Sequence, residues 1–100
     1  MNEQATILVV DDTAANRKLL VDLLTAQGYI TATAASGEEG LAKIASIKPD
    51  LVLLDVMMPG ISGYDVCKQI RANPENGILP VVMVTSLDPT LHREIGRAHV

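Results

Sequence analysis

The chain has 100 residues, of which 48% are hydrophobic and 20% charged, with a net charge of -4 and only two aromatics, Tyr29 and Tyr64. That length bounds it to one domain, and that hydrophobic content excludes a disordered polymer in favour of an aliphatic core. The acidic balance and the lack of aromatic platforms exclude direct nucleic-acid binding as an expectation, and the start MNEQATILVVDD reads as neither a leader nor a membrane span.

The first aliphatic run, ILVV at 7–10, lacks alternation, as strands buried on both faces of a parallel sheet do, and it closes on Asp11 and Asp12. Leu19, Leu20, Leu23 and Leu24 follow as an apolar face at helical spacing, with Gly28 as its stop. ITATA at 30–34 alternates, which suits a strand nearer an edge. A second helix opens where Ser36 and Glu39 have capping-box spacing and continues through Leu41, Ile44 and Ala45. LVLL at 51–54 closes on Asp55 and runs into the turn MMPG. Val66 and Ile70 form a weaker helical stripe after Ser62 and Gly63. VVMV at 81–84 closes on Thr85 and Ser86, and Asp88 with Pro89 announces a fourth helix. The lone Cys67 makes no internal disulfide, which suits a reducing cytoplasm, and His92 and His99 lack partners at metal-ligand spacing.

Strands and helices alternate, and right-handed crossovers then give a parallel sheet with helices on both faces. In such open sheets ligands bind outside the carboxyl ends of the strands. Asp11, Asp12, Asp55, Thr85 and Ser86 are therefore expected on one rim. Three neighbouring carboxylates repel one another unless a cation sits among them. A sparse all-oxygen ligand set suits Mg²⁺, or Mn²⁺, and a magnesium ion beside a carboxylate suits phosphoryl transfer, with Asp55 as nucleophile.

The motifs ILVVDD, LVLLDVMMPGISGYDV and LPVVMVTS carry a resemblance to the receiver domain of bacterial two-component response regulators, over about residues 5–94. The resemblance implies a flavodoxin-like, doubly wound parallel sheet, here in strand order 2-1-3-4 with the fifth strand and fifth helix missing. It implies that Asp55 is the phosphoacceptor for a sensor histidine kinase or phosphotransfer protein. Asp12 would bind Mg²⁺ directly, Asp11 through water, and the backbone carbonyl of Met57 would add a ligand. Thr85, beside Ser86, would be the switch hydroxyl toward an output domain or target. Pro59 and Gly60 would shape the loop after Asp55, and Gly63 would let the next helix start close by. Such a domain phosphorylates and dephosphorylates itself without separate substrate turnover, so it is expected not to be an enzyme.

Three rival functions fit less well. A flavodoxin-like cofactor module needs a phosphate cradle where this chain has DDTAAN. An aspartyl-phosphate phosphatase needs a second acid where Met57 stands. A degenerate receiver, binding partners without phosphorylation, is the alternative on the same fold, yet the acid pair, Asp55 and Thr85 are all present.

The resemblance breaks at the end. No Lys follows Lys68, and IGRAHV, from Ile95 to Val100, resembles the translation of a sequencing adapter and is expected to be a non-native tail. A truncated sheet would leave strand 81–84 as an open edge that invites self-association.

Overall fold

The computed structural model describes residues 4–84. Four strands, β1 (Thr6–Val10), β2 (Ile30–Ala34), β3 (Leu51–Asp55) and β4 (Val81–Val84), alternate with helices α1 (Ala14–Ala26), α2 (Gly37–Ile47) and α3 (Gly63–Ala72), followed by a 3-10 turn at Pro74–Asn76. All strand pairs are parallel, in the order β2-β1-β3-β4. The order 2-1-3-4 expected from the resemblance is therefore the observed one, with β2 at an edge. The fourth helix expected at Asp88 and the tail from Ile95 lie outside the described residues.

Two of the unbroken aliphatic runs form the central strands β1 and β3, which have to be apolar on both faces, whereas the third, β4, lies at the other edge of the described sheet with Val82 47% exposed. Leu8, Val10, Val52 and Leu54 point to one side, where they form a core with Ile44 of α2 and with Val66 and Ile70 of α3. The stripe that reads as weak in sequence is the most deeply buried helical face, since Val66 and Ile70 are both 0% exposed. Full burial of side chains of this size contributes about 1.5–3 kcal/mol each. Ile7 and Val9 point to the other side and are buried there; α1 lies against β1 and β2.

In α1 the outcome differs from the four-leucine face expected. Leu20 and Leu24 are half-buried, whereas Leu19 and Leu23 are 49% and 56% exposed. The rows on a helix are about 100° apart per residue, so two adjacent rows cannot both face one sheet squarely. The helix has rolled Arg17, Leu20 and Leu24 inward, and Leu19 and Leu23 lie one row further round. Gln27 ends the helix, and Gly28 follows in a left-handed conformation with φ +93° as Tyr29 N–H donates to the Leu24 carbonyl.

The cap of α2 also departs from its expected form. Ser36 accepts from Glu39 N–H at 3.1 Å, but the Glu39 carboxylate accepts from Ala35 N–H at 3.0 Å. The reciprocal bond has moved one residue outside the cap. Within α2, Gly40 permits contact with the sheet: a Cβ there would lie 2.9 Å from a Val10 methyl. A helix carrying any larger residue at this position would have to stand further from β1.

Candidate functional site

The site lies at the carboxyl ends of β1 and β3, which are paired in register through Val10 and Leu54. The residues just beyond that pair are Asp11 on one strand and Asp55 on the other. Parallel pairing thus brings together two acids that are far apart in the chain. Asp11, Asp12 and Asp55 each offer a carboxylate oxygen, and these oxygens all lie within 4.8 Å of one another.

Asp11 and Asp55 are buried, at 6% and 4% exposure, while Asp12 is open to solvent. Asp11 is tied into the turn, where its Oδ1 accepts from Thr13 N–H at 2.8 Å. Asp55 Oδ1 accepts from Met57 N–H at 3.1 Å, so the loop after the strand orients the carboxylate. Burial pushes the Asp55 carboxyl above its ordinary range. The Met57 amide works against that shift, while the nearby carboxylates of Asp11 and Asp12 reinforce it. Among the described residues no Lys or Arg forms an ion pair with any of the three acids. Arg17 approaches most directly, but its Nη1 donates to the backbone carbonyl of Asp11 at 2.7 Å.

The loop beyond Asp55 is shaped by close approach. A Cβ on Gly63 would lie 2.4 Å from the Asp55 carbonyl oxygen and 2.9 Å from Val56 Cα, both backbone atoms that cannot swing aside. Helix α3 can therefore begin directly against the end of β3 only with glycine there. Ser62 caps it, accepting from Asp65 N–H at 3.2 Å. Gly60 turns the loop with φ +76°, Pro59 beside it is exposed, and the Met57 side chain is 66% exposed above the site. β4 ends at Val84, in register with Asp55. Thr85 and Ser86 follow it in the chain and lie outside the described residues.

One groove, lined by Ile44, Lys48, Pro49, Glu75, Asn76 and Leu79, lies beside the far end of α2, away from the acids. An acidic rim that handles one small charged group requires no deep pocket.

The response regulator receiver domain model matches residues 7–95 of this sequence. The chain belongs to the response regulator receiver family. The receiver is 49% identical over 84 residues to the response regulator PleD of Caulobacter vibrioides, covering 84% of this chain and 18% of PleD. It is 41% identical over 91 residues to the transcriptional regulatory protein AfsQ1 of Streptomyces coelicolor, covering 91% of this chain and 39% of that protein. It thus spans well under half of these relatives. Among solved structures it resembles the N-terminal domain of a response regulator receiver protein from Methanoculleus marisnigri, with a TM-score of 0.81, 33% identity, and coverage of 97% and 94% of the two chains. The chemotaxis protein CheY4 of Vibrio cholerae matches with a TM-score of 0.80, 31% identity, and coverage of 96% and 80%. The receiver is a module of two-component signalling, in which response regulators work with histidine kinases and outputs.

The structure brings together Asp11, Asp12, Asp55, Met57 and Gly63, all of which sequence reasoning had placed at the site. Arg17 is the neighbour that reasoning missed. A long cation one turn into the helix that follows paired acids was the available signal, but its partner is a main-chain carbonyl that no residue pattern reports.

Proposed function

We propose that the receiver accepts a phosphoryl group on Asp55 from the phosphohistidine of a partner histidine kinase or phosphotransfer protein. The observation that carries this reading is the gathering of three carboxylate oxygens within 4.8 Å, two of them on buried residues, with no cationic side chain among the described residues paired to them. Burial and the neighbouring charges of Asp11 and Asp12 disfavour ionised Asp55, and a divalent cation among the three acids would relieve that repulsion. The donor set, all oxygen and sparse, fits Mg²⁺ or Mn²⁺, with Asp12 and Asp55 holding the ion directly, Asp11 through water and the Met57 carbonyl completing the protein share. When bound, the ion neutralises charge on the phosphoryl oxygens.

The residues of the chain do the rest. Met57 N–H holds Asp55 Oδ1 and fixes the carboxylate plane. The free Asp55 oxygen forms the new P–O bond as the N–P bond of the phosphohistidine breaks and the imidazole leaves. Gly63 keeps α3 tight against this strand end, so the acceptor cannot retreat from the rim. Thr85 is the proposed switch hydroxyl toward the output. The Met57 side chain, apolar and exposed, offers no general acid for a rapid hydrolytic turnover.

The test is site mapping. Incubation with acetyl phosphate and Mg²⁺, borohydride reduction of the acyl phosphate and peptide mass spectrometry should place the label on Asp55 alone. Labelling that persists unchanged in Asp55→Asn would refute the assignment.

A further inference from the structure

Arg17 stands half-buried at the start of α1, and its guanidinium forms no ion pair with the acids beside it. Its Nη1 reaches back six residues to the Asp11 carbonyl at 2.7 Å. Asp11 is consequently held at three points. Its N–H donates to the Ala34 carbonyl at 3.1 Å, its Oδ1 accepts from Thr13 N–H at 2.8 Å, and its carbonyl accepts from Arg17. The last of these fixes the peptide plane joining Asp11 to Asp12. Asp12 is exposed, and among the described residues its carboxylate accepts from no backbone N–H. That peptide plane therefore fixes the backbone from which the Asp12 side chain leaves.

The guanidinium charge is also engaged elsewhere. Glu39 is held below the ordinary carboxylate range by the Ala35 N–H first, then by Lys43, with a smaller contribution from the charge of Arg17. Arg17 thus bonds the turn after β1, and its charge reaches Glu39 of α2 only at longer range.

We propose that Arg17 is a positioning residue of the acidic site, holding the Asp11–Asp12 peptide so that both carboxylates converge with Asp55 on one cation. This rests on the reading of the three acids as a divalent-cation site. A guanidinium suits the task because it stays charged and its rigid planar fork gives direction to its hydrogen bonds. An effect of charge alone has the opposite sign: deleting a positive group near three acids would tighten cation binding.

Calorimetric titration of Mg²⁺ into the full chain, well below the thermal midpoint of each variant, separates these accounts. Arg17→Met should weaken Mg²⁺ binding by about tenfold, the low end of the loss seen when a group orienting a metal ligand is removed. Arg17→Lys, which keeps a donor and the charge, should recover most of that loss. Arg17→Gln replaces the Met variant if the latter fails to fold, with the same loss expected. Binding by the Met or Gln variant as tight as wild type, or tighter, would overturn the proposal, and so would loss of folding in both. A wild-type chain that takes up no Mg²⁺ would instead overturn the cation-site reading, and this proposal with it.

Discussion

Asp55 occupies a position that works against folding. Its carboxyl is raised above the ordinary range, first by burial and then by its acidic neighbours, with the Met57 amide opposing. A raised acid favours the folded state fully while it is protonated, below its unfolded pKa. That contribution is lost as pH climbs from the ordinary carboxylate range through the raised folded value, and the metal-free chain is then destabilised at neutral pH. Asp55→Asn removes this handicap. It should raise the thermal midpoint at neutral pH in EDTA and flatten the mildly acidic limb of the stability profile. Each kcal/mol moves the midpoint of a domain this size by roughly 4–8 °C, so calorimetry resolves the change. Saturating Mg²⁺ should shrink the gap, because the cation stabilises only the wild type to the full extent. A lower midpoint for Asp55→Asn in EDTA would contradict the burial-and-repulsion account.

Contacts between elements set the second scale. The start of α3 meets the end of β3 backbone to backbone at Gly63, and a methyl group there would collide with atoms that cannot rotate away. Gly63→Ala should therefore cost about 1–3 kcal/mol by overpacking, read by urea denaturation. It should also slow phosphorylation, because the strand end carrying Asp55 has to shift. A neutral result would mean that α3 yields more easily than its packing implies. At the opposite edge, β2 is the outer strand of the described sheet. The Ala34 carbonyl accepts from Asp11 N–H across the sheet, so the Thr33 carbonyl and the Ala35 N–H face away from β1. Both are covered from α2: Lys43 donates to the Thr33 carbonyl, and Glu39 accepts from Ala35 N–H while pairing with Lys43 at 3.2 Å. Uncovered strand groups template pairing with another chain. The double variant Glu39→Ala/Lys43→Ala should thus leave the midpoint almost unchanged and increase concentration-dependent association in sedimentation velocity. An unchanged sedimentation profile would show that the edge needs no such cover.

Across the whole molecule, the fold was legible wherever one residue type had only one place to go. The unbroken runs ILVV and LVLL became central strands and ITATA, with two threonines, lies at an edge, whereas VVMV, equally unbroken, is the outer strand on the other side of the described sheet. Pairing of those strands in register then brings Asp11, Asp12 and Asp55 together, so the acidic rim was legible too. Other features depend on orientation, which residue patterns do not carry. Four leucines identify α1 as amphipathic but not which row the sheet meets, and Leu19 and Leu23 ended up outside. Gly40 reads as a weak point in a helix, although here it lets α2 close onto Val10. Arg17 and Glu39 act on main-chain groups, which are the same for every sequence.

The receiver has a net charge of -4, and the fold gathers three of its acids at one rim of the sheet. A cation specific to that rim must act where general screening by salt does not. The central claim is that these acids form one divalent-cation-dependent acceptor site, and intact-mass spectrometry after exposure to acetyl phosphate tests it most directly. With Mg²⁺ the chain should gain the mass of a single phosphoryl group, and with EDTA and matched ionic strength it should gain none. Asp12→Asn should lower the yield severalfold at limiting Mg²⁺, and Asp55→Asn should abolish it. Equal phosphorylation with and without the divalent cation, or none in its presence, would contradict the account.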